Sequence, residues 1–128
     1  MIKKTYGLVR ISSHSQNEKN GGTGVEFQTK KLNQYAELND YEIGKIFVDE
    51  VSGAIADRDG IRNLKSLIDD GKVERVLIWN TSRAFRSMIH FSRFYEMLKE
   101  NDVELVSVSE GIKSTNKTGE MLFGIMCS

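Results

Sequence analysis

Apolar positions along the chain follow two periods, and the alternation between them predicts the architecture. Thr5 to Arg10 is a short β-prone apolar run, and the polar, glycine-bearing stretch from Ser12 to Gly24 carries neither period, so a strand leading into a long loop is expected. From Val25 to Leu38 the residues Val25, Leu32, Tyr35, Ala36 and Leu38 recur near one helical face, and Asn39-Asp40 closes the pattern. Ile43 to Val48 reads as a second strand, Asp49 to Asp59 as a loop, and Gly60 to Asp70 as a helix that Asp59 is suited to cap and Gly71 to end. Val73 to Trp79 is a continuous apolar strand, Met88 to Glu100 carries Phe91, Phe94, Tyr95 and Leu98 at helical spacing, and Val103 to Val108 is a fourth strand. A last helix begins at Thr118, with Met121, Leu122, Ile125 and Met126 apolar, and is expected to be the start of a longer one. The order βαβαβαβ implies an α/β fold of three layers, a mostly parallel sheet flanked by helices, because parallel strands need crossover connections. Neither an internal repeat nor a Pro-, Ser- or Gly-rich linker divides residues 1–128, so one domain is expected.

Composition narrows the class. The 128 residues are 39% apolar and 28% charged, with 18 Lys+Arg against 18 Asp+Glu, which suits a folded globular chain and excludes low-complexity classes. No apolar run approaches a membrane span, and Met1 to Thr5 lacks the apolar core of a signal peptide, so a cytoplasmic protein without a membrane partner is expected. Cys127 is the single cysteine and His14 and His90 are the two histidines, too few for a disulfide framework or a thiolate metal site. Zero net charge argues weakly against a nucleic-acid partner, yet from Arg75 to Tyr95 there are four arginines and no acid.

Ligands of open α/β sheets bind at the carboxyl ends of the strands, so the residues following each strand are the candidates for chemistry. The first strand runs into Arg10, Ser12 and Ser13, the second into Asp49, Glu50 and later Arg58, the third into Asn80, Ser82, Arg83 and Arg86, and the fourth into Ser109 and Glu110. Guanidinium groups brought to one edge suit the oxygens of a phosphate ester. Arginines simply solvated on loops fit the same composition. Asn20 to Gly24 lacks both the P-loop ending and the Rossmann glycine spacing, and no Gly-x-Ser-x-Gly elbow supports a hydrolase. Asp49, directly after a strand, leaves open a receiver-like or flavodoxin-like regulatory module that accepts or binds phosphate.

Five segments in order resemble the catalytic domain of the serine site-specific recombinases, the resolvase/invertase and serine integrase family. Tyr6 to Ser13 (YGLVRISS) is similar to its opening strand with an Arg-x-Ser motif, Gln16 and Gln28 to its glutamines, and Phe47 to Gly60 (FVDEVSGAIADRDG) to its acidic, Ser-Gly and arginine segment. Val76 to Ser87 (VLIWNTSRAFRS) resembles its strand followed by Asp-Arg-x-x-Arg, and Val103 to Gly119 the approach to its long dimerisation helix. The resemblance implies Ser12 as nucleophile, Arg10, Arg58, Arg83 and Arg86 as phosphate-binding groups, and Gln16, Gln28, Asp49 and Ser82 in support. It further implies double-stranded DNA as substrate, no cofactor or metal, and a homodimer and tetramer with a separate DNA-binding domain in the full-length protein. Ser82 stands where the family pattern has an acid before Arg83, and Asn80 where a basic residue is common.

Overall fold

The structure, a computed structural model, describes residues 3–12, 24–52, 55–56, 59–81, 85 and 88–127, and of residues 12, 50–52, 55, 56 and 59 the backbone alone. The expected loop between Ser12 and Gly24, including the glycine-rich stretch from Asn20, lies outside the described residues except at its ends.

The elements are β1 (Lys4–Ser12), α1 (Val25–Leu38), β2 (Ile43–Ser52), β3 (Ile55–Ala56), α2 (Asp59–Asp69), β4 (Val73–Ile78), α3 (Met88–Glu100), β5 (Glu104–Ser107), β6 (Ile112–Lys113) and α4 (Lys117–Met126). They build a sheet in the order β3-β2-β1-β4-β5-β6. Its four inner strands run parallel, and the two-residue edge strands β3 and β6 pair antiparallel with β2 and β5. Two expectations need correction. Strand β2 runs on through Asp49 to Ser52 and pairs antiparallel with β3, where the pattern suggested a loop, and β6 was not anticipated. Strands β3 and β6 are pairings of two residues, shorter than any periodicity can register, and β2 continues because Asp49 to Val51 pair with Arg10 to Ser12 of β1.

Side-chain alternation along the strands separates two apolar layers. Val9 and Ile11 of β1, with Leu77 and Val106, meet Leu32 and Ala36 of α1. Tyr6 and Leu8, with Phe47, Val76, Ile78 and Leu105, meet Leu64 and Ile68 of α2, Phe91, Phe94, Tyr95 and Leu98 of α3, and Phe123 of α4. Each large apolar side chain buried in this way contributes about 1.5–3 kcal/mol. Helices α1, α2 and α3 stop alike: Tyr41, Lys72 and Val103 donate their amides to the carbonyls of Ala36, Leu67 and Leu98, around Asp40, Gly71 and Asp102 at φ of 57°, 72° and 56°. Gly71 therefore ends its helix as expected.

The topology also says where a ligand belongs. From β1 the chain moves to β2 on one side, and from β4 to β5 on the other, so the strand order reverses between β1 and β4. The β1–β4 ladder has its last pair at Gly7 and Leu77, whereas β1 stays paired with β2 as far as Ser12 opposite Val51. The tip of β1 thus projects beyond its ladder with β4, at the switch point where open α/β sheets hold ligands.

Candidate active site

Arg10 stands on this projecting tip. Strand alternation puts it on the side of Tyr6 and Leu8, and on β2 Asp49 follows Phe47 on the same side, in register with Arg10. The Arg10 Nε lies 3.7 Å from Asp49 Oδ2, with the arginine side chain 12% and the aspartate 0% exposed. Across the guanidinium, its carbon sits 5.3 Å from the centre of the Phe85 ring. Phe85 is itself buried against Phe91 and Phe94, with ring centres 5.7 and 5.1 Å away. A carboxylate and an aromatic face together hold the arginine in one orientation, which lowers the conformational cost of meeting an anion.

Asp49 does more than pair with Arg10. The backbone amide of Gly60 donates to Oδ1 at 2.7 Å and that of Ile61 to Oδ2 at 3.1 Å, so a strand side chain caps the first turn of α2. The sequence suggested Asp59 for that duty; Asp59 is instead the first residue of the helix, and the cap comes from Asp49, the neighbouring strand's buried carboxylate. The contact requires glycine at position 60, because a Cβ there would lie 2.6 Å from Asp49 Oδ1 and 3.0 Å from the Val48 carbonyl oxygen. With its oxygens given to backbone amides and no exposed surface, Asp49 is unsuited to accept a phosphoryl group, which removes the ground for the receiver-like reading.

Gln28 occupies an inward position of α1, in line with Leu32 and Ala36, and is 1% exposed. It therefore belongs to the α1 side of the sheet, across from Arg10 and Asp49. The first turn of α1 reaches the end of β4, where Phe27 meets Trp79 edge-on with ring centres 5.2 Å apart. Ser12 is the last residue of β1, described by its backbone. Gln16, Arg58, Ser82, Arg83 and Arg86 lie outside the described residues, although Phe85, between the last two arginines, is described. Sequence reasoning missed Phe85 as the seat of Arg10, Gly60 as the close approach, and the bonds of Glu110: the Thr81 amide and hydroxyl and the Ser107 hydroxyl all donate to that carboxylate. An acid just after β5 was the available signal for Glu110.

Comparison with known proteins gives the family and the fold. The family model "Resolvase, N terminal domain" matches residues 5–128, so the chain belongs to the resolvase family, the serine site-specific recombinases. It is 26% identical over 123 residues to the Tn917 transposon resolvase of Enterococcus faecalis, which covers 96% of this chain and 59% of the relative. Against a DNA-invertase of Escherichia phage P1 it is 25% identical over 120 residues, 94% of this chain and 56% of the relative. The chain thus spans less than two thirds of these curated relatives. Among solved structures, the N-terminal catalytic domain of TP901-1 integrase matches in fold with a TM-score of 0.80 at 20% identity, over 97% of this chain and 91% of that one. A resolvase-family site-specific recombinase from Streptococcus pneumoniae matches with a TM-score of 0.74 at 25% identity, over 97% and 83%. Among the described residues no helix is long and apolar enough to cross a membrane.

Proposed function

We propose that this chain is the strand-cleaving domain of a site-specific recombinase, in which the Ser12 hydroxyl attacks a DNA phosphodiester. The Ser12 Oγ–phosphorus bond forms, the bond from phosphorus to the 3′ oxygen breaks, the serine proton is lost and the 3′ oxygen gains one. The product is a 5′-phosphoserine link, and attack by a 3′ hydroxyl after exchange reverses the step and reseals the duplex. Charge accumulating on the phosphoryl oxygens meets Arg10, Arg58, Arg83 and Arg86, which also make the serine a better nucleophile by favouring its ionised form. Gln16 supports the phosphate site, Gln28 backs the tip of β1 from the α1 side of the sheet, and Ser82 supplies a hydroxyl where a carboxylate would partly neutralise Arg83. In this reading the whole protein binds its site through a separate domain, works as a homodimer that pairs into a tetramer, and acts in the cytoplasm.

The observation that carries the proposal is Arg10, two residues before Ser12 on the tip of β1 and held there by Asp49 and Phe85 at the switch point of the sheet. A phosphate ester needs such a fixed fork close to the nucleophile. The test is Ser12→Ala in the protein carrying this domain. Covalent attachment to duplex DNA, read on a denaturing gel, is expected to vanish while non-covalent site binding persists. Attachment surviving the change would overturn the assignment. Arg10→Ala is expected to slow attachment by on the order of 3 kcal/mol of barrier.

A further inference from the structure

Glu110, in the turn after β5, gathers donors from two elements. Its Oε1 accepts the Thr81 backbone amide at 2.9 Å and its Oε2 the Thr81 hydroxyl at 3.3 Å, and the hydroxyl of Ser107 also donates to Oε1. Ser107 is fully buried at the end of β5, so the carboxylate is tied to the core on one side and to the chain leaving β4 on the other. Two backbone bonds prolong the join, from Val108 to the Ile78 carbonyl at 2.9 Å and from Ser109 to the Trp79 carbonyl at 2.8 Å. Thr81 in turn accepts the Phe85 amide at its carbonyl, 3.0 Å away, the spacing of one helical turn.

We propose that Glu110 is a positioning residue for the strand-cleavage reaction. It fixes Thr81, the Thr81 carbonyl holds the Phe85 amide, and Phe85 seats the Arg10 guanidinium, whose carbon lies 5.3 Å from the ring centre. The inference rests on the strand-cleavage reading for its consequence, but the chain of contacts stands on described residues alone. Asp49 and Glu110 then act alike: each carboxylate accepts backbone amides of a neighbouring segment, Gly60 and Ile61 for one and Thr81 for the other, and so fixes one side of Arg10's surroundings.

The probe is the Arg10 side-chain Nε–H resonance of the ¹⁵N-labelled chain, displaced by the ring current of Phe85. In Glu110→Ala this resonance is expected to move toward the position it takes in Phe85→Leu, with backbone amide dispersion elsewhere retained. Glu110→Gln keeps an oxygen for the Thr81 amide and leaves the resonance in place. Glu110→Asp draws the carboxylate back by one methylene and moves it, which covers the case in which the alanine variant unfolds. In single-turnover adduct formation Glu110→Ala slows the step by about tenfold to a hundredfold, the loss typical of a catalytic group misplaced by about an ångström, with non-covalent DNA affinity unchanged. Added to Phe85→Leu it has no further effect, as expected of residues acting in series. An Arg10 resonance unmoved in folded Glu110→Ala and Glu110→Asp, or effects that add to those of Phe85→Leu, overturns the assignment. A wild-type protein that forms no adduct defeats the cleavage reading instead, and the resonance still decides the role of Glu110.

Discussion

Asp49 is a carboxylate without solvent contact, and its charge is balanced by two amides at a helix N-terminus and by Arg10. Removing one partner of such a group leaves the others buried without compensation, which costs more than the pair's net stabilisation. Asp49→Asn is therefore expected to destabilise the fold by about 3 kcal/mol in urea denaturation, near the low end for a broken buried pair because asparagine keeps one acceptor oxygen. A loss below about 1 kcal/mol would mean that the helix cap is carried by another group. A second residue sets the alkaline limit. Burial, then the nearby Glu120 carboxylate, push the Tyr95 phenol above the usual tyrosine range, and Lys113 is also raised, chiefly by Tyr35. Both groups hold their protons more tightly folded than unfolded. Their contribution is thus complete below the unfolded values and is lost as pH rises from about 10 through the folded ones. The urea midpoint is expected to fall over that window, and less steeply in Tyr95→Phe; equal slopes would contradict this. At this scale Arg10 and Asp49 were legible as candidates because residues near the carboxyl ends of strands of an α/β sheet share one edge, whereas Gln28, inside α1, came only from the family resemblance. Glu110's bonds to Thr81 were not, because only the register of β4 with β5 brings together residues so far apart in the chain.

Between elements, the tightest tolerance is at the start of α2. Gly60 lets the helix approach β2 until its amides reach Asp49, and a methyl group there must displace the carboxylate or the Val48 carbonyl. Gly60→Ala is expected to cost about 1–3 kcal/mol, as overpacking does, and to shift the Arg10 Nε–H resonance through Asp49. An alanine variant of unchanged stability and unchanged Arg10 signal would show that the helix can slide. Helices and long strands were readable from their periods: α1 and α3 have the expected bounds, and β4 differs by one residue. The edge strands were unreadable, since each is an antiparallel return of two residues whose reason is pairing rather than pattern. The cap of α2 was misassigned for a related cause. A local rule favours Asp59, whereas the buried strand neighbour Asp49 is the stronger acceptor once tertiary structure forms.

For the molecule as a whole, alternation of strand and helix patterns was enough to give a three-layer, mostly parallel sheet, because few connections satisfy right-handed crossovers. Which strand lies at the centre was not legible, and that is the fact on which the site depends. Placing β1 between β2 and β4 puts Arg10 and the end of the strand at Ser12 beside the reversal of strand order. Zero net charge gives this chain little of the counterion release that drives non-specific DNA binding, so phosphate contact depends on local guanidinium placement rather than on a basic surface. The proposed reaction joins Ser12 covalently to DNA. Tandem mass spectrometry of the nuclease-trimmed adduct measures it directly. The expected product is a nucleotide joined through its 5′ phosphate to the peptide containing Ser12, on the Ser12 oxygen; attachment at Ser13, Ser15 or any other side chain, or through a 3′ phosphate, would contradict it.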